Sequence, residues 1–259
     1  MKPIDIEEAH QILLDIAKAF TKVCDENNIP YYMLGGTMLG AVRHKGFIPW
    51  DDDMDFGVPR EYYDLLINVL EKELPSPYRC CTYKNGVSSS VIFKVDNSRT
   101  VINDACGKDA NQELGLNIDI FPLDYCAPTD TVWKKQKFLT FVYRAKFAKN
   151  ANWSFGRRVV NKLFSIILPW SKEEINMRKE NMLKNLPQGD YLSNVFGAWG
   201  TRECIPVEWY GKGVKYKFED TEFCGPAEFD KYLSQLYGDY MTPPKGDKHI
   251  HLDGVYWKD

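Results

Sequence analysis

Leu34-Gly35-Gly36-Thr37-Met38-Leu39-Gly40-Ala41-Val42-Arg43-His44-Lys45-Gly46-Phe47-Ile48-Pro49-Trp50-Asp51-Asp52-Asp53-Met54-Asp55 is the stretch of this 259-residue chain whose reading decides the fold. It opens on a glycine pair and closes on an acidic cluster. Asp53 and Asp55 lie two apart, so on a strand their carboxylates project from one face, where repulsion is costly unless a cation sits between them. Oxygen-only ligands favour Mg²⁺ or Mn²⁺, ions that complete their shell with water and substrate phosphates. Gly35 and Gly36 let backbone N–H groups approach an anion unobstructed, Thr37 can add a hydroxyl, and Arg43 and Lys45 add positive charge. An acidic run such as Asp51-Asp52-Asp53 is also the ordinary composition of a solvated turn or a helix cap, so the cluster alone does not decide the matter.

Outward from this stretch, Ile6, Ala9, Leu13, Ile16, Ala17, Phe20 and Val23 recur at helical steps until Asn27-Asn28-Ile29-Pro30. Tyr31-Tyr32-Met33-Leu34 fits a buried strand that must turn at the glycines. Thr37–Arg43 reads as a short helix, Met54–Val58 as a second strand, and Arg60–Leu74 as a helix stopped by Pro75-Ser76-Pro77. Strand-like segments follow at Tyr78–Tyr83, Ser90–Asp96, Thr100–Asp104 and Leu116–Phe121. From Trp133 to Leu186 the pattern is helical and basic. Short strands then lead to a helix opened by Pro226 and a polar tail. The fold class is α+β, a mixed sheet flanked by helices with a basic helical insertion. The expected divisions are a catalytic core at 1–128, the basic region at 129–188, facing an acceptor or a membrane, and a segment at 189–259 that completes the catalytic domain.

Composition agrees with a folded enzyme: 44% hydrophobic, 27% charged and 14% aromatic residues. The net charge of −3 argues against nucleic acid as a partner. The charge is uneven, however, since residues 134–184 hold thirteen Lys and Arg against three Glu. The acidic N-terminus carries no export signal, and no apolar run approaches the ~20 residues that span a bilayer, so a cytoplasmic location is expected. Seven cysteines, with Cys80 and Cys81 adjacent and no Cys-x-x-Cys, read as reduced packing residues.

A third acid strengthens the case. In Asn117-Ile118-Asp119-Ile120-Phe121-Pro122-Leu123-Asp124, Asp119 lies between isoleucines in an otherwise buried segment and needs a partner there. Glycine turn, short helix, Asp-x-Asp and a later apolar-Asp-apolar strand resemble the nucleotidyltransferase superfamily. More narrowly, Gly36–Gly46, Trp50–Asp55 and Ile118–Asp124, with Tyr237-Gly238-Asp239-Tyr240-Met241 and Pro243-Pro244, resemble the LicD family. The resemblance implies a metal held by Asp53 and Asp55 and completed by Asp119, which also takes the proton of an acceptor hydroxyl. It implies transfer of phosphocholine from CDP-choline to a cell-surface glycan of teichoic-acid or lipopolysaccharide type, with release of CMP. Donors carrying glycerol phosphate, ribitol phosphate or another head group keep the same chemistry. A non-catalytic nucleotide or glycan binder is the rival of a different class, and the intact acids count against it.

Other residues carry weaker signals. Lys94 alternates with apolar neighbours and either faces the donor phosphate or sits on an edge strand. Asp124 reads as a turn residue after Pro122, with support of the site as the alternative, and His44 reads as a loop residue. His249 and His251 have the spacing of a shared metal but lack a cysteine pair. Residues 153–170 combine Trp153, Arg157, Arg158, Lys162 and Trp170 with a run of aliphatics. That composition suits a helix lying on an anionic membrane beside a lipid-linked acceptor, or equally a core helix with a solvated basic face.

Overall fold

The computed structural model describes residues 1–102, 114–147, 156, 159, 161–162, 167–243 and 254–258. The expectations on His249, His251, Pro244 and most of 153–170 lie outside the described residues. Helix α1 (Ile6–Glu26) starts where the Asp5 carboxylate accepts from the Glu8 N–H at 2.9 Å, and it buries the face expected from its periodicity. It ends at Asn27 and Asn28, the latter at φ +54°, a conformation asparagine tolerates. Strand β1 (Tyr32–Met33) then runs into α2 (Gly35–Arg43), and β2 (Asp55–Pro59) leads without a loop into α3 (Arg60–Glu73).

The sheet is mixed. β3 (Tyr78–Cys81), β4 (Phe93–Asn97) and β6 (Asn117–Tyr125) join β1 and β2 in the spatial order β1-β2-β6-β4-β3, while β5 (Thr100–Ile102) pairs elsewhere. β2 and β6 are parallel, and the other pairs in this path are antiparallel. The far end of β6 pairs with β7 (Tyr191–Ser193), which pairs with β8 (Cys204–Pro206). Phe56, Val58, Ile118 and Ile120 on one face and Leu123 on the other are all fully buried, as expected of central strands covered on both faces.

α4 (Val132–Phe147) and the helix Lys172–Lys184 pack together through Leu139, Val142 and Ile175, and a Ser171–Glu174 capping box starts the second of them. The strands Val214–Phe218 and Thr221–Gly225 form a hairpin whose turn reaches the loop after α2, where the Glu219 N–H donates to the Lys45 carbonyl at 2.8 Å. Among the described residues, no helix is long and apolar enough to cross a membrane. Cys24, Cys80, Cys81, Cys126 and Cys204 are buried and free, and Cys224 is free and half-buried.

Several sequence expectations need correcting. The late helix spans Phe229–Tyr237, capped by Glu228, so Pro226 precedes it and does not open it. Val255–Trp257, expected in a polar tail, pairs antiparallel with β5. Lys94 is not on an edge, because β4 lies between β6 and β3. Asp124 is not a turn residue. It lies within β6, fully buried, and accepts from Arg60 Nε at 2.6 Å and Nη2 at 2.9 Å. Arg60 carries α3 and Asp124 carries β6, so the pair fixes the helix that follows the acidic strand onto the sheet.

Removing one partner of a buried ion pair strands the other charge. Asp124→Ala is therefore expected to cost about 3–5 kcal/mol in urea unfolding, and Arg60→Met/Asp124→Leu to recover most of it. A single-variant loss near zero would show that the pair does not hold α3.

Candidate active site

Strand register builds the site. Parallel pairing sets Asp55 opposite Asp119, and antiparallel pairing sets Lys94 opposite Asp119 from the other side. The Asp119 N–H donates to the Met54 carbonyl at 2.9 Å and the Leu34 N–H to the Asp55 carbonyl at 2.9 Å, tying the glycine turn to the same row. Lys94 Nζ donates to Asn117 Oδ1 at 3.0 Å and pairs with Asp119 Oδ1, so this lysine meets the third acid and does not line the cleft. Asp53 precedes the strand, which begins at Asp55, and lies exposed at the lip of the cleft.

The cleft has a volume of about 1060 Å³ and is lined by Gly35, Gly36, Arg43, Asp53, Asp55 and Asp119 among the sequence-expected residues. Thr37 and Lys45 do not line it. Thr37 is buried and its hydroxyl accepts from the Asp55 N–H at 2.8 Å, so it positions the acid from behind. Lys45 is exposed at φ +61°, and its described role is the backbone bond to Glu219. The Gly35 N–H, expected to face an anion, donates to the Tyr232 hydroxyl at 3.0 Å. Gly36 makes room for a carboxylate, since an added Cβ would lie 2.8 Å from Asp51 Oδ2. Arg43 Nη1 donates to the Tyr240 carbonyl at 2.9 Å. His44 caps the C-terminus of α2.

The acids crowd one another. Desolvation, followed by the charges of Asp53 and Asp119, pushes Asp55 well up. Desolvation, then Asp119 and Asp52, raises Asp53, and desolvation, then Asp53 and Asp52, raises Asp51 to about 7. A divalent cation would relieve this stored repulsion, and the donor atoms are the carboxylate oxygens that Mg²⁺ and Mn²⁺ take. Among the described residues, no group of three or more His, Cys, Asp or Glu side chains is arranged to hold a metal unaided. A site of one or two carboxylates completed by substrate phosphates fits that arrangement, and it is the usual way Mg²⁺ is bound.

Other parts of the cleft were missed by the sequence reading. Gln136, Thr140 and Arg144 line it from one face of α4, at i, i+4 and i+8, a spacing visible in the sequence. Asn194, Trp199 and Glu203 come from the segment around β7 and β8, and Tyr237, Asp239 and Tyr240 from the late motif quoted above. Glu203 is 8% exposed, and burial raises it to about 7 against the N–H of Trp199, which donates at 2.8 Å, and the side chain of Asn194.

A glycine-led helix set against parallel strands that carry two acids side by side, at the floor of an open cleft, defines a domain of nucleotidyltransferase type. Residues 28–155 match the family model "LicD/FKTN/FKRP, nucleotidyltransferase domain". The chain is similar to the lipopolysaccharide cholinephosphotransferase LicD of Haemophilus influenzae, at 28% identity over 97% of each chain. A shorter stretch is similar to the human ribitol 5-phosphate transferase FKRP, at 39% identity over 18% of this chain and 9% of that one. Among solved structures, ANT(2")-Ia in complex with adenylyl-2"-tobramycin aligns at 12% identity and a TM-score of 0.27, covering 65% of this chain and 97% of that one, too loosely to inform the site. Residues 28–155 are thus a nucleotidyltransferase domain of the LicD family, and the chain is an enzyme of the LicD phosphotransferase type.

Because the folded state keeps a proton on Glu203 up to about pH 7 and the unfolded chain releases it near 4.5, the native state binds more protons between those values. Stability must then fall as pH rises through that window. Glu203→Gln is expected to remove roughly 2–3 kcal/mol of that fall, read as the difference in unfolding free energy between pH 4.5 and 8 for each protein. Equal pH slopes for both proteins would show that Glu203 titrates normally.

Proposed function

We infer that the protein transfers phosphocholine from CDP-choline to a hydroxyl of a cell-surface glycan of lipopolysaccharide or teichoic-acid type, releasing CMP. The observation that carries the reading is the Asp55–Asp119 register pair in a chain that aligns end to end with a lipopolysaccharide cholinephosphotransferase. Asp53 and Asp55 would hold Mg²⁺ or Mn²⁺ together with the donor phosphates, without the third carboxylate that the family resemblance implies, and the ion would supply neutralisation of the phosphoryl oxygens during transfer. The acceptor oxygen bonds to the phosphorus distal to the cytidine, and the bond from that phosphorus to the CMP oxygen breaks. Asp119 takes the hydroxyl proton, Thr37 keeps Asp55 in place, and Arg43 adds positive charge beside the transferred group. Transfer of ribitol phosphate is the second reading, favoured by the short match to FKRP.

Asp53→Asn is expected to lower turnover of CDP-choline at least about a hundredfold while leaving the melting temperature within a few degrees. Chelation of the wild type should silence it equally, with recovery on adding Mg²⁺. Unchanged turnover in the variant would remove Asp53 from the metal site. A melting shift with CDP-ribitol and none with CDP-choline would replace the first reading with the second.

A further inference from the structure

The cleft has a second end, away from the acid row. The rings of Trp199 and Tyr237 meet edge to face with centroids 5.2 Å apart and planes at 84°. Trp199 is 45% exposed, leaving ring surface open to the cleft. Behind them the Glu203 carboxylate is seated under Gly197, where an added Cβ would lie 2.1 Å from both of its oxygens. Asn194, also buried, lines the cleft with an Oδ1 that has no hydrogen-bond partner. Asp239 contributes another carboxylate.

Tyr237 joins the two ends. A Cβ added to Gly35 would lie 3.5 Å from the Tyr237 hydroxyl and 3.8 Å from Asp55 Oδ2, so the hydroxyl borders the acid row. Besides burial, the charges of Asp55 and then Glu203 act on that hydroxyl and push its pKa up. The ring thus runs from the acids toward the Trp199–Glu203 end.

We propose that Trp199, Tyr237, Glu203 and Asn194 form the head-group subsite of this cleft, and that it selects an organic ammonium over a neutral polyol. The inference rests on the phosphate head-group transferase reading given above. Aromatic faces attract a cation through the ring quadrupole, and a quaternary ammonium needs no hydrogen-bond partner. Asn194 Oδ1 and the carboxyl groups of Glu203 and Asp239 are acceptors, and above about pH 7, where Glu203 gives up its proton, both carboxylates favour positive charge. The basic residues lining the cleft, Arg43 and Arg144, come from α2 and α4, and Arg43 is turned to the Tyr240 carbonyl. A polyol could hydrogen-bond to the polar groups here, but the ring faces of Trp199 and Tyr237 would give its hydroxyls no partner, whereas they attract a cation.

Calorimetric titration of the full chain in Mg²⁺ tests this with phosphocholine and 3,3-dimethylbutyl phosphate, which has carbon in place of the quaternary nitrogen. Phosphocholine is expected to bind at least about fivefold more tightly than its neutral isostere, and more tightly than glycerol 3-phosphate. At pH 8, above the value to which burial raises Glu203, Trp199→Ala and Glu203→Gln should each weaken phosphocholine at least about threefold while leaving CMP affinity unchanged. Equal binding of phosphocholine and its isostere by the wild type would overturn the subsite whether or not the variants fold. Variants that weaken CMP and phosphocholine alike would also overturn it. CMP binding without head-group preference sinks this subsite and spares the transferase reading, whereas no binding of CMP, CDP-choline or CDP-ribitol sinks that reading and the subsite with it.

Discussion

The parallel pairing of β2 with β6 is the constraint on which the site depends. It puts Asp55 beside Asp119 at the point where two strands with a buried apolar face open into the cleft. A slip of one residue would replace Asp119 in that row with Ile118 or Ile120 and send every side chain of the strand to the opposite face. The buried alternation on both strands makes such a slip costly, so the hydrophobic core specifies the geometry of the candidate site. Lys94 on the next strand and Leu34 at the glycine turn extend the same row across the sheet.

Holding these carboxylates together works against stability, since Asp51, Asp53 and Asp55 are all raised by desolvation and by the charges of neighbouring carboxylates. The surroundings offset part of that cost. Thr37 accepts the Asp55 N–H, Lys94 pairs with Asp119, and the Arg60–Asp124 pair anchors α3 to β6 just beyond the site. Mutual elevation of acidic pKa values within a cleft is a signature of function more than of folding. It is also what an oxygen-liganded divalent ion would neutralise on binding.

Much of this was legible in the sequence because the decisive elements are local. The α1 periodicity, the strand–glycine–helix turn and the apolar neighbours of Asp119 each show within a few residues. Asp53 and Asp55 were assigned to one strand face, but the strand begins at Asp55, because ladder pairing, not side-chain spacing, sets where a strand starts. The hydroxyl of Thr37 and the charge of Lys45 suggest ligand contacts, whereas the fold uses the hydroxyl of one and the carbonyl of the other to hold neighbouring backbone. Asp124 reads as a turn residue in the sequence because its partner, Arg60, lies 64 positions away. Glu203 and Asn194 carry no local signal at all, since only the β6–β7–β8 pairing brings their segment to the cleft.

The central claim is that Asp55, with Asp53 at the lip of the cleft, holds a divalent cation beside Asp119. Titration of Mn²⁺ into the protein, followed by the loss of the free-ion paramagnetic resonance signal in the presence of CMP, tests it without reference to turnover or acceptor. The account predicts saturable binding by the wild type and its loss in Asp55→Asn, with circular dichroism and melting showing the variant folded. Saturable Mn²⁺ binding of equal strength in the folded Asp55→Asn variant would contradict it and place the cation, and the chemistry, elsewhere in the cleft.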